Sequence, residues 1–542
     1  MISICKVKNN YCGTDEFCIG DFKCVAQLSA HFLDDKTILK TSNYLVVVDG
    51  VILNRIQLQK KCSTDKWGEC LIQLYEENGE QFFTLLRGSY IGAIYDIKCD
   101  KWIIFRNPLG GHPLYYSTEN IYVSTDITWL YDIMKENNVS LHLDPIGVRM
   151  VLETDLGMTI DNYTICKEVK KLHPCCYLVY ENGELTEKQS YTIKREEVKL
   201  SSEDDYLEMI DETYKNAVKR QFGKDDEYGY KHVACLSGGI DSRMTVWIAH
   251  YLGWDKQLNI TSSSSGWYDE TVARQIAKDL NHEWLFKPMD DANFMYQVDE
   301  STRVTGGCRA FYGVMHMACL YSLIDYEGAN LGILHTGSQG EIFKGEAVVN
   351  GSLNYKRNFY LDYLKSLDVT TTLDYSDPEI CTIMNKYLQV DQGDSMSPLL
   401  DLDFFEMSMR IPAYLRKDEY IYKQWVTKKH PDANKYVWAN SGLPYGSNRF
   451  NPRLPVIGVP LYLFPKYLKY KMGSGTFGMN PFNRFYDRNK GLKEYYDSYA
   501  CYINTIEEND LRSKILEYFN SSNIIKRMKA ISILSAIKLH FS

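Results

Sequence analysis

Two rhythms of apolar and polar residues run along this chain, and the first gives way to the second near residue 200. Up to about residue 190, short β-branched and aromatic runs end in Asp, Asn or Gly, as strands closed by turns do. "YLVVVDG", "SYIGAIYDI", "KWIIFRN", "IYVSTD" and "CYLVYENGEL" are the clearest. Few helical periods separate them, and "GECLIQLYEENG" is the best candidate. The pattern predicts a layered, β-rich domain over 1–190. From about 203 the period lengthens. "SEDDYLEMIDETYKNAVKRQFG" opens with acids after Ser202, repeats apolar residues at helical spacing and stops at Gly223. "HVACL" follows as a buried strand, then "DSRMTVWIAHYLG" as a helix with Met244, Ile248, Tyr251 and Leu252 on one stripe. "LNITSSSS" is a second strand and "DETVARQIAKDLN" a second helix, its Asp269 read as the cap and Glu270 as a partner of the helix dipole. Alternating strand and helix is the signature of a parallel sheet, so 200–542 reads as α/β. The charged stretch "TIKREEVKLSSED" marks the join.

Composition narrows the class. A chain of 542 residues, 45% hydrophobic, buries two or three cores. A net charge of -9 offers no general attraction to phosphate backbones, so no nucleic-acid partner is expected. The 15 cysteines are odd in number and scattered, which suits reduced thiols better than a disulfide framework or a zinc site. The N-terminus lacks a signal-peptide pattern, and "LPVIGVPLYLF", interrupted by Pro455 and Pro460, is too short to span a bilayer. These features predict a cytoplasmic protein with no membrane contact. "IIKRMKAISILSAIK" near the C-terminus reads as a packed terminal helix.

The candidate chemistry lies in "CLSGGIDSRMT", residues 235–245, where the buried strand turns into the helix. Gly238 and Gly239 permit backbone angles and close approach that a Cβ forbids. A helix N-terminus beyond them presents free N–H groups and partial positive charge, which together favour an anion. Ser237 and Ser242 add hydroxyls, and Asp241 suits a Mg²⁺ ion held against phosphate. The loop is neither GxxxxGK[ST] nor GxGxxG.

SGGIDS resembles the pyrophosphate loop of the N-type ATP pyrophosphatases, which split ATP into AMP and pyrophosphate. "LRGSYIGAIYDIKCDKWIIFRNPLGGHPLYYS" resembles the glutaminase-type domain of asparagine synthetases through Gly88, Ala93, Asp96, Arg106, Gly110, Pro113, Leu114, Tyr115 and Tyr116. "VVDGVILNR", "KEVKKLHPCCYLVYENGEL" (with Cys175 where glycine is usual) and "SPLLDLDFFEMSMRIP" extend the likeness in order along nearly the whole chain. The chain therefore resembles the asparagine synthetase superfamily, which also holds β-lactam synthetase and the lasso-peptide cyclases. That resemblance implies an Ntn-hydrolase-like αββα domain followed by an adenine-nucleotide α-hydrolase-like synthetase domain with additional helices. It implies ATP and Mg²⁺ as cofactors, with nucleotide contacts from Leu236, Ser237, Gly238, Gly239, Asp241, Ser242, Ile260, Thr336 and Gly337.

Several positions depart from the family. Its terminal nucleophilic cysteine is replaced by Ile2, and its glutamine-gripping arginine has no counterpart in "SAHFLDDKTILKTSN". The oxyanion-hole Asn-Gly has become Asp49-Gly50, where an acid repels the developing charge. Cys5 lies inside the first predicted strand, and Cys12-Gly13 spells C-G only after a hydrophilic insertion. The N-terminal domain therefore reads as a scaffold without glutaminase activity. In the synthetase half, "HTGSQGEIFKG" keeps Glu341 as the carboxylate to share a metal with Asp241, while Ser338 replaces a commonly acidic or tyrosine position. The family's phosphate-neutralising lysine falls on Glu419, leaving Lys417 or Lys423 as substitutes and Arg243 as another cation near the phosphates. The resemblance thus implies an AMP-forming ligase acting on a small-molecule or peptide carboxylate, with aspartate not expected given Ser338 and Glu419. An ammonia-donating protein or a precursor peptide stands as partner. The alternatives are an intramolecular cyclase, an enzyme amidating a surface sugar, and a nucleotide-binding protein without catalysis.

Overall fold

Alternation along the first-half strands decides the layers. In the computed structural model, which describes residues 1–6, 16–19, 21–117, 121–313, 330–345, 359–369, 377–388 and 395–541, the strand Tyr44–Ile52 sends Leu45 and Val47 to one face and Val46 and Val48 to the other. Leu45 and Val47 join Phe22, Ala93, Trp102 and Leu178 between two six-stranded antiparallel sheets. Val46 and Val48 pack with Leu71, Leu74 and Phe82 beneath the helices Arg55–Cys62 and Trp67–Asn78. The outer face of the other sheet, through Cys5, Tyr115 and Tyr122, meets the helices Ile127–Glu136 and Pro145–Glu153. The result is helix, sheet, sheet, helix.

The second half holds a five-stranded parallel sheet in the order Glu283–Pro288, Gln257–Ser263, Lys231–Cys235, Leu331–His335, Ser395–Met396. Its first helix, Glu203–Tyr228, starts in a reciprocal capping box between Ser202 and Asp205. It does not stop at Gly223 as the sequence suggests. It continues to Gly229, whose φ of +66° closes it, because Lys224 and Asp225 are buried by partners from both halves. Tyr251 also departs from its expected stripe and is 64% exposed, while Met244, Val246, Trp247 and Ile248 are buried. The sheet and later segments cover that helix on more than one side.

The halves are joined through Asp35. Its carboxylate accepts from Lys224 Nζ at 2.7 Å and Tyr228 Oη at 2.9 Å across the junction, and from Arg55 Nε and Ile52 N at 2.8 and 2.7 Å in its own half. The terminal helix Ile524–Ala536 is buried, and its Lys529 donates to the carbonyls of Leu152 and Thr154 at 3.2 and 2.5 Å. Among the described residues, no helix is long and apolar enough to cross a membrane. Against the expectation of reduced thiols, Cys18 is disulfide-bonded, whereas Cys5, Cys24, Cys175 and the other described cysteines form no disulfide.

Candidate functional site

The strand Lys231–Cys235 delivers Leu236 beside Ile260: Leu236 N donates to Ile260 O at 2.9 Å, and Thr261 Oγ1 donates to Leu236 O at 2.6 Å. The loop then folds on its own hydroxyls. Ser242 Oγ accepts from Ser237 N at 3.2 Å and lies 3.0 Å from Ser237 Oγ, while Gly239 N donates to Ser237 Oγ at 3.1 Å. Gly238 is needed for close approach, since a Cβ there would sit 2.9 Å from Tyr268 O. Asp269 does not cap its helix; Trp267 is the cap residue. The Asp269 carboxylate instead reaches back to accept from Gly238 N at 3.0 Å, and burial raises its pKa.

The strand Leu331–His335 builds the second wall. Thr336 N donates to Met396 O at 2.8 Å, and Thr336 O accepts from Thr245 Oγ1 at 3.1 Å. Gly337 lies flush against the loop helix, where a Cβ would fall 2.1 Å from Ser242 N. A Cβ on Gly340 would fall 2.5 Å from Asp241 Cγ. Two glycines thus seat the start of the helix Asp241–Tyr251 and its first carboxylate.

Each oxygen of that carboxylate accepts a hydrogen bond. Lys344 Nζ donates to Asp241 Oδ2 at 2.7 Å, and Tyr422 Oη donates to Oδ1 at 2.7 Å. Lys344 is buried, with its ammonium 5.2 Å from the Tyr422 ring centroid and 6.0 Å from that of Tyr445. Burial works against its charge, but Asp241, Glu419 and Glu341 outweigh that penalty and raise its pKa. Tyr445 Oη donates to Glu419 Oε2 at 2.6 Å. Glu419 and Asp418 both adopt left-handed backbone, at φ of 59° and 54°.

Of the cations expected from sequence, Arg243 contacts the SGGIDS loop, donating from Nη2 to Gly238 O at 3.4 Å from beneath it. Its guanidinium is fully buried and clamps the carbonyls of Ala433, Tyr436 and Val437 at 3.2, 3.2 and 2.9 Å, and burial lowers its pKa to about 10. Lys417 is exposed, and Lys423 Nζ donates to Asp418 O at 2.7 Å. Glu341 is exposed on the short helix Gly340–Lys344. A magnesium ion on Asp241 would have to displace the Lys344 ammonium from Oδ2 and Tyr422 Oη from Oδ1, so a cation already holds the place that the sequence assigned to the metal. Sequence reasoning missed Lys344; the signal was the acid at 419 where a lysine was expected.

In the first half, the α-amine of Met1 donates to Gln27 O at 2.6 Å and lies 3.6 Å from Asp49 Oδ2. Lys36, within the segment that lacks a counterpart of the family's arginine, puts Nζ 3.0 Å from Asp49 Oδ1. The same carboxylate oxygen accepts from Gly50 N at 3.0 Å. Cys5 is buried, its thiol pushed up to about 11 by desolvation, and Cys12 lies outside the described residues. Cys175, where the family has glycine, keeps the left-handed backbone at φ 61°. A cleft of about 620 Å³, part open to solvent, separates the halves between Gly88, Asn107, Gln221 and Met396; its lining does not include Asp241.

The glutamine amidotransferase domain family matches residues 37–192. Glutamine-hydrolysing asparagine synthetase 1 of Bacillus subtilis is 23% identical over 266 residues, covering 47% of this chain and 40% of its own. Its Saccharomyces cerevisiae namesake is 22% identical over 440 residues, covering 73% of this chain and 70% of its own. The nodule asparagine synthetase of Pisum sativum is 23% identical over 429 residues, covering 73% and 63%. The matched stretch therefore spans between two fifths and seven tenths of these relatives.

Proposed function

We propose that this chain, a member of the asparagine synthetase superfamily, is an ATP-dependent ligase that joins a carboxylate to an amine through an acyl-adenylate. The observation that carries the reading is the SGGIDS loop between a buried strand and a helix N-terminus, walled by Thr336 and Gly337. A substrate carboxylate oxygen attacks the α-phosphorus of ATP and pyrophosphate leaves; the amine then attacks the acyl carbon and AMP leaves. In this reading Ser237, Ser242 and the first-turn amides of the helix Asp241–Tyr251 receive the phosphates, and no step is assigned to a magnesium ion on Asp241.

The first half is proposed to hydrolyse no glutamine. Ile2 stands at the nucleophile's place, and the Asp49 carboxylate already holds the Gly50 N–H that an oxyanion would need. The nitrogen then comes from free ammonia, from a partner, or from an amine on the substrate itself, and the acid is a small molecule or a peptide. A second reading, a nucleotide-binding protein without catalysis, is favoured by the Lys344–Asp241 ion pair, which fills the place of a catalytic metal.

Pyrophosphate release from ATP, measured across a panel of amino acids, peptides and sugar acids with ammonia supplied, tests the ligase reading. Release that depends on one acid class is the expected result, with no glutamate formed when glutamine replaces ammonia. ATP binding with no release for any acid favours the second reading, and glutamate release refutes the inactive first half.

A further inference from the structure

We infer that Lys344 is the built-in cation of the nucleotide site, and that Asp241 serves to hold this ammonium against the polyphosphate instead of ligating a divalent metal. The inference rests on the nucleotide reading of the SGGIDS loop and concerns what neutralises the phosphates there.

Three observations converge. The first is position: Lys344 Nζ sits 2.7 Å from Asp241 Oδ2, on the first residue of the loop helix, where an ion on that carboxylate would lie. The second is pre-organisation. The side chain is buried between the Tyr422 and Tyr445 rings, and Tyr422 takes the other Asp241 oxygen at 2.7 Å. A lysine held this way loses little further freedom on binding a ligand. The third is charge exchange across one ring. The lysine that the family resemblance sets at 419 is a glutamate here, bonded to Tyr445 Oη at 2.6 Å, while Lys344 lies against the ring of the same tyrosine.

An ammonium carries three donors, and Asp241 uses one. We assign the other two to phosphate oxygens, which then need strip no metal-bound water. Charge counting gives the idea a distinctive sign. Asp241, Glu341 and Glu419 all lie close enough to Lys344 to act on its charge, so a phosphate meets more carboxylates than cations. Neutralising Asp241 therefore relieves repulsion here, whereas it would destroy a site that depended on a metal at Asp241.

Calorimetric titration of the full chain with ATP, and separately with inorganic pyrophosphate, in EDTA and in excess Mg²⁺, tests this. The wild type is expected to bind ATP in EDTA within about threefold of its affinity in Mg²⁺, and Lys344→Met to weaken binding in EDTA by at least about tenfold. Asp241→Asn is expected to bind ATP in EDTA more tightly than the wild type, because it removes a negative charge from beside the phosphates. It retains an acceptor for Lys344 and so keeps the test sound if Lys344→Met fails to fold. Binding of the wild type only in Mg²⁺, abolished by Asp241→Asn, would overturn the inference and leave the nucleotide reading standing. Absence of ATP binding in both conditions would overturn the two together.

Discussion

Replacing Asp35 with Asn removes one charge from the junction between the halves and leaves the shape of the side chain unchanged. Asp35 is fully buried and accepts from four donors, two of them the cations of Lys224 and Arg55. A carboxamide has a single acceptor oxygen, and its NH₂ turns two donors toward donors. Breaking a buried pair by removing one partner costs about 3–5 kcal/mol. The lower end applies here, because Lys224 keeps Glu227 Oε2 at 2.9 Å and Arg55 also pairs with Glu227. A loss near ~3 kcal/mol, with a urea m-value of about 3 kcal/mol/M, moves the unfolding midpoint down by about 1 M. Tryptophan fluorescence and far-UV circular dichroism across a urea series measure it, with the neighbouring exposed Asp34→Asn as control. If Asp35→Asn and Asp34→Asn unfold within about 0.2 M of each other, the buried charge does not hold the junction and the reasoning fails.

Other perturbations test separate parts of the molecule. Gly223→Ala, inside the helix Glu203–Tyr228 where a Cβ would meet nothing within 4 Å, should stabilise the protein by about 0.5–1 kcal/mol in the same urea assay. Gly337→Ala drives a methyl to 2.1 Å from Ser242 N; it should cost about 1–3 kcal/mol and weaken ATP binding by calorimetry. Arg243→Lys should destabilise by about 2 kcal/mol and speed hydrogen exchange across 433–439, since a shorter-reaching ammonium with three donors cannot replace a planar fork that serves four carbonyls. His173 is buried between Asp161 and Glu187 at 2.8 and 2.5 Å; burial opposes its charge, but the two acids outweigh it and raise its pKa to about 9. Its folded pKa exceeds the unfolded value, so its contribution is complete below about pH 6.5 and lost as pH climbs toward 9. Thermal unfolding should accordingly fall across that window, and His173→Gln should flatten the fall.

The loop was legible because six consecutive residues carry it and a local alternation of strand and helix places it. The same holds for the first-half strands, whose period of two is a local property. Lys344 was not legible. Within "EIFKG" it reads as a basic residue at a helix end, and its meaning depends on Asp241, Tyr422 and Tyr445 arriving from three other segments. Asp269 misled for a related reason: an acid in the first turn satisfies local rules, yet its donor is Gly238, 31 residues earlier. Gly223 looked like a stop because helix propensity is local, whereas the burial that carries the helix onward is tertiary. The Lys36–Asp49 pair has no local signal, since only the folded sheet brings Asp49 beside Lys36.

Consecutive residues on the helix Glu203–Tyr228 face different masters. Lys224 answers to Asp35 of the first half, while Asp225 accepts from Ile333 N and His335 Nε2 at 2.8 Å each, one step ahead of Thr336 and Gly337. Tearing the first half away would take Asp35 from the Lys224 ammonium and leave it with Glu227, one residue before the carboxylate that holds Ile333 and His335. The first half is thereby the footing of the wall that Thr336 and Gly337 build in the second.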